Sequence, residues 1–191
     1  MSASKTESIF SNVPDDGDEG MRYQIIRTGP KGIKGPIVTS HDPLGLYTHW
    51  AGGRTLPCVK KACEHCEQNV SRRWYGFLMV YSIKQDRQYL FEYTASAAST
   101  VVQYWEKHRT LRGAAISGER QGGRPNGRLT LFLTPPKSEA EPLPKAPERV
   151  SLLSQMWSVP LSEFLEPQSA TKKQAEEFIE QIRPTLRAVN E

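Results

Sequence analysis

No run of apolar residues in this 191-residue chain approaches the roughly 18 that a membrane-spanning helix needs. The opening stretch, MSASKTESIFSNVPDDGDEG, lacks the basic start and apolar core of a secretory signal. Together these absences predict a soluble, cytoplasmic protein. Cysteine is scarce: there are three, an odd count that argues against a disulfide framework. Clustered carboxylates, a nucleophile elbow and a phosphate-cradling loop are also missing. The pairs Gly52–Gly53 and Gly122–Gly123 read as turns, and a non-enzymatic protein is expected.

Charge is present but unevenly placed. Residues 1–21 carry one Lys and five acids, a net of −4. Residues 22–135 carry 17 Lys and Arg against 7 acids, a net of +10, and residues 136–191 carry a net of −2. A basic middle between acidic ends fits a domain that binds a polyanion. The first 21 residues are polar and aperiodic and read as a disordered acidic tail. TPPKSEAEPLPKAPE marks residues 136–150 as a proline-rich linker. Residues 151–191 read as a helical C-terminal segment, with Ala175, Phe178, Ile179, Ile182 and Leu186 at helical spacing.

Residues 22–135 carry the order of a mainly β domain. RYQIIRTG and GPIVTS read as one bent β region, and RRWYGFLMVYSI and RQYLFEYT as a hairpin across KQD. A helix follows, capped by Thr94 or Ser96. Its apolar face is Ala98, Val101, Val102 and Trp105, and Gly113 lies just past its end. GAAISGER and RLTLFLTP form a second hairpin across GGRPNG. Five strands with a helix between the third and fourth is the order of an OB-fold barrel, with a zinc-binding loop inserted between the first two strands.

That insert reads THWAGGRTLPCVKKACEHCEQN. Cys63 and Cys66 form a C-x-x-C pair, and Cys58 lies close enough to add a third sulfur. A closed structural zinc site needs a fourth ligand, for which His49 ranks first, His41 second and His65 third. The deaminase pattern, H-x-E followed by P-C-x-x-C, is not matched, which favours structural over catalytic Zn2+.

Single-stranded nucleic acid is held by stacking on aromatics and by basic grooves. Candidate stacking residues are Trp50, Trp74, Tyr75 and Tyr81. Alternation places Tyr75, Phe77 and Tyr81 on one face of a strand and Trp74, Leu78 and Val80 on the other, and either face could be core. Candidate phosphate contacts are Arg54, Lys60 and Lys61 on the insert and Arg72 and Arg73 at the next strand. Arg112, Arg120, Arg124 and Arg128 flank the last hairpin. In an OB-fold the two loops concerned are the jaws of the groove.

His49, Cys58 and the Cys63-x-x-Cys66 pair, ahead of an aromatic and basic barrel, resemble the zinc-containing OB-fold single-stranded-DNA-binding proteins of phage replication systems. The resemblance covers about residues 45–135. It implies a structural zinc, a DNA cleft lined by aromatic and basic residues, and a role in DNA replication, recombination or repair. The ligand spacings are shorter than the family's. An acidic tail replaces its basic N-terminal arm, and a linker with a mixed-charge helix replaces its acidic C-terminus. The expected partner is single-stranded DNA bound with little sequence preference. The alternatives are RNA, or a zinc-stabilised adaptor contacting a protein through residues 151–191.

Overall fold

A computed structural model describes residues 23–59, 63–136 and 142–161. The acidic tail, Lys60, Lys61 and the periodic run 172–187 lie outside the described residues. The protein is mainly β, built on one open mixed sheet of eight strands. These are β1 (Ile25–Arg27), β2 (Ile33–Val38), β3 (Leu44–Ala51), β4 (Arg54–Pro57), β5 (Arg72–Ser82), β6 (Arg87–Thr94), β7 (Ala115–Arg120) and β8 (Leu129–Thr134). Helix α1 spans Glu64–Glu67, α2 spans Ala95–His108 and α3 spans Arg149–Trp157.

The aromatic, β-branched run of β5 is the longest strand, and the sheet forms around it. One edge of β5 pairs along its length with β6. The other edge is shared, with β3 on Arg72–Phe77 and β2 on Val80 and Tyr81. The path runs β1-β6-β5-β2-β7-β8, with β4 outside β3.

The expectation of five strands closing a barrel is corrected in two respects. The first β region is two strands that part company: β1 runs parallel to β6, while β2 lies antiparallel to β5 and β7. The insert also contributes a hairpin of its own, β3–β4. Among the described residues no pairing returns from β8 to β6. The outer edge of β6 is taken by β1. At the outer edge of β8, Ser96 of α2 donates its hydroxyl to the Leu129 carbonyl at 3.2 Å. An ion pair fixes β1 there: Arg27 stands opposite Glu92 and grips both its oxygens, at 2.6 and 2.8 Å.

Both hairpins and α2 form where the sequence places them. Thr94 takes the N-cap position of α2, but its hydroxyl meets Ser96 at 2.9 Å rather than a helix N–H. The left-handed residue that ends α2 is Arg109, with φ 58°, and not Gly113, which turns the chain into β7. Gly76 has a packing reason. A Cβ there would lie 2.1 Å from the Tyr93 ring, which crosses β5 at that point.

Alternation leaves the core face of β5 open because both faces are core. Trp74, Leu78 and Val80 pack with Tyr93, Val101, Val102 and Leu131 beneath α2. Phe77 and Met79 pack with Leu46, Leu90, Leu152, Leu153 and Leu161, beneath α3. The described part of the linker, from residue 142 on, straps this second face. Arg112 donates to the carbonyls of Thr39, Leu143 and Pro144, and Gln88 donates to that of Lys145. Arg149 donates to the carbonyls of Asp42 and Phe77. Glu148 caps α3, accepting from the N–H groups of Val150 and Ser151.

If this docking is part of the core, Leu153→Ala, at a side chain with no exposure, costs about 2–5 kcal/mol in urea unfolding. Met156→Ala, at an exposed position on α3, stays within about 0.5 kcal/mol. Equal effects would show that α3 lies loosely on the sheet.

Candidate functional site

Strand β3 carries His49 inward, and the Gly52–Gly53 turn lets β4 return beside it, with His49 opposite Leu56. Both glycines have positive φ, 58° and 76°, which suits a two-residue hairpin turn. Beyond β4, the Cys58 N–H donates to the Tyr47 carbonyl at 2.8 Å, holding the chain against β3. Cys63 then starts a tight turn. Its carbonyl accepts from the N–H groups of Cys66 and Glu67 at 2.9 and 3.1 Å, which brings Cys66 under Cys63 and opens α1.

The result is a compact donor set. Nε2 of His49 and the sulfurs of Cys58, Cys63 and Cys66 all lie within 4.8 Å of one another, close enough to bind a metal ion. Cys58 and Cys66 sulfurs are 3.5 Å apart, and His49 Nε2 is 3.5 Å from Cys63 and 3.4 Å from Cys66. On its other side His49 Nδ1 stands 2.9 Å from the Val70 carbonyl. A carbonyl can only accept, so Nδ1 carries the proton and the Nε2 lone pair faces the sulfurs. His49 and Cys63 are buried, and Cys58 and Cys66 half-buried.

Electrostatics favour a cation here. Burial, with the neighbouring Cys58 and Cys63 thiols, pushes the Cys66 thiol up to about 11. Burial also acts to raise Cys63, yet it sits below its usual range because the backbone N–H groups of Cys66 and Val59 stabilise its thiolate. Three crowded sulfurs cannot all ionise against one another, and a cation among them removes that repulsion.

The other two candidate histidines, His41 and His65, are outside the set. His41 Nδ1 stands 3.1 Å from the Thr110 hydroxyl. His65 lies close by, its ring tilted against that of His49 with centres 5.5 Å apart, but it is not one of the four grouped donors.

The expected nucleic-acid residues divide sharply. Trp50 is 59% exposed, and Arg54, Arg72, Arg73, Arg124 and Arg128 are exposed. Trp74 is only 6% exposed and packs edge-on against Tyr93, so it offers no ring face to a base. Tyr75 is half-buried beneath the α3 face, and the half-buried Tyr81 donates its hydroxyl to Asp86. Arg112 holds the strap, and Arg120 donates to the carbonyls of Thr28 and Gly127 at 2.7 and 3.0 Å. Both guanidiniums are tied to the fold, which corrects their expected place in the jaws.

Register shows how the exposed set is arranged. Directly paired residues share a sheet face. Arg72 lies opposite His49 and Arg54 opposite Ala51, with the Arg72 guanidinium 5.2 Å over the Tyr47 ring. Arg73 lies opposite Thr48, so Arg73 and Trp50 are diagonal neighbours on the other face. A ribbon with basic groups on both faces and an open tryptophan therefore stands directly on the cysteine cluster. Phe132, 53% exposed on β8, is the aromatic that the sequence reading missed. Its signal is in LTLFLT, where the outward slots hold Thr130, Phe132 and Thr134. No family model, curated protein or solved structure matches the chain.

With this donor set, the purified protein carries one metal ion per chain. His49→Ala lowers that content while His41→Ala and His65→Ala leave it unchanged, as read by elemental analysis. Loss on His65→Ala instead would put the fourth ligand inside the C-x-x-C turn.

Proposed function

We propose that the protein binds single-stranded nucleic acid, DNA foremost, on a ribbon organised by a structural zinc ion, and that it does no chemistry on its ligand. The observation that carries this is Trp50, exposed on β3 with Arg73 as its diagonal neighbour on one face of the ribbon, while Arg54 and Arg72 stand on the opposite face with His49. An exposed tryptophan with one guanidinium on its own face of the ribbon and two on the other supplies both parts of single-strand binding, a stacking platform and charge for the phosphates.

Zinc suits the donor set. Three thiolates and one imidazole are a common zinc complement, and metal–ligand bonds of about 2.3 and 2.0 Å give tetrahedron edges of about 3.6–3.8 Å. Three of the six edges are 3.4–3.5 Å and all lie within 4.8 Å, so modest side-chain adjustment would close the four donors around an ion. Four protein ligands leave no open position, so the ion would be structural and would hold β3, β4 and the start of β5 together.

An OB-type sheet is supported by pairing order. With β2 and β3 taken as halves of one bent strand, that strand pairs with β5 and β7. The other neighbours are β6 beside β5 and β8 beside β7, with α2 between β6 and β7. The groove differs from the usual one, because the β5–β6 face lies under α3. The ribbon and the turn holding Arg124 and Arg128 are among the exposed surfaces of the described residues. RNA would meet the same stacking and charge, since no residue here is identified as a reader of the 2′-hydroxyl.

Titration with fluorescent oligo-dT against duplex and RNA competitors tests this reading. Trp50→Ala weakens binding about 5- to 100-fold. The Arg72→Gln/Arg73→Gln pair lowers the salt slope by about 1.4, at roughly 0.7 per phosphate contact. No binding of the metal-loaded protein at low salt would sink the proposal.

A further inference from the structure

The outer sheet face covered by α3 at β5 and β6 continues sideways into solvent. Direct pairs trace it: Tyr81 stands opposite Ile37, Ile37 opposite Ala115, and Ala115 opposite Thr134. The neighbouring row is Lys34, Ser117 and Phe132. Lys34, Thr130, Phe132 and Thr134 are all exposed on this face.

Phe132 is out of place there by the rules of folding. Leu129 and Leu131 of β8 are 1% exposed and supply its core contacts, while the alternate positions should be polar. Thr130 and Thr134 obey that rule and Phe132 does not. Its cross-strand partner is the small Ser117, so the ring stands clear of the sheet. Two cations lie farther out on the same face. Arg128 lies on the same side of the chain four residues back, about 13 Å along the strand, and Lys34 lies two strands across, about 10 Å away. Glu119, opposite Thr130, is the acid on this face. Pairing by the free edge of β8 is a poor alternative. Gln121 bonds Arg128 toward β7, so Leu129 and Leu131 turn their backbone groups to the outer edge, where both residues are buried near α2.

We infer that the open face of β2, β7 and β8 is a second single-strand contact, in which one base stacks on Phe132 and neighbouring phosphates meet Lys34 and Arg128. The inference rests on the ligand class proposed above but not on the ribbon residues. It moves part of the binding surface away from the strands that α3 covers. Tyrosine at position 132 would serve as well as phenylalanine, since stacking needs only the ring.

The experiment uses the full chain, metal-loaded, and a fluorescein-labelled oligo-dT of roughly 16 nucleotides, the upper site size for one such domain. Phe132→Ala weakens binding about 5- to 100-fold, and Phe132→Tyr holds it within about twofold. Lys34→Gln lowers the salt slope by about 0.7. Thermal unfolding of each variant matches the wild type, because these side chains lie in water. If Phe132→Ala binds like the wild type while Trp50→Ala does not, this contact is overturned and the ribbon stands. If Phe132→Ala changes only the sedimentation mass, the face joins copies of the chain and the inference fails. No binding by the wild type would overturn both proposals.

Discussion

Strand β5 is paired on both edges and buried on both faces, and the position of every other element follows from that. Its partner β6 fixes the start of α2, which begins directly where β6 ends. Its divided outer edge seats β3 at one end and β2 at the other, and β2 in turn seats β7 and β8. Because residues alternate strictly across a strand, one register error in β5 would exchange Trp74, Leu78 and Val80 with Phe77 and Met79. The two sets pack against different helices, so register is specified from both sides. Gly76 adds a third constraint, since only there is the strand thin enough for the Tyr93 ring to cross it.

The same strand places the candidate metal-binding cluster. His49 can face the sulfurs because β3 is locked opposite Arg72 and Arg73, and its ring is turned by the carbonyl of Val70, two residues before β5 begins. The cluster thus joins three stretches of chain: the end of β3, the return of β4, and the approach to β5. Few apolar residues lie in the loop between Cys58 and Cys66, so a bound ion would supply most of its cohesion. Arg72 sits directly across from His49, and any loosening of that residue would be felt by the basic ribbon.

Sequence reasoning reached what is local. The two hairpins, α2 with its apolar face, and the cysteine turn all follow from spacing and turn chemistry within a few residues. His49 ranked above His41 and His65, and the Gly52–Gly53 turn is what returns the chain so that Cys58 lies beside it. What remained hidden is long-range. Nothing local tells that Ile25–Arg27 will leave its neighbours to run parallel to β6, held by an ion pair 65 residues away. Nor does composition reveal that a proline-rich stretch is anchored by Arg112. A guanidinium tied to three carbonyls and one free in water look identical in a sequence.

The placing of aromatic side chains is the better guide to function. Burying a large side chain gains about 1.5–3 kcal/mol, and this fold has two cores in which to do it. Phe77, Phe91, Tyr93 and Trp74 are all used in that way. Trp50 and Phe132 forgo the gain, each on a regular strand where inward positions lie next door. Single exposed apolar residues are ordinary, and Ile83 at a turn needs no explanation. Two exposed rings on strands, each accompanied by arginine or lysine and neither by an acid as its direct cross-strand partner, form a narrower pattern. Stacking by a base returns about the energy that burial would have given, and it does so only when the ligand is present.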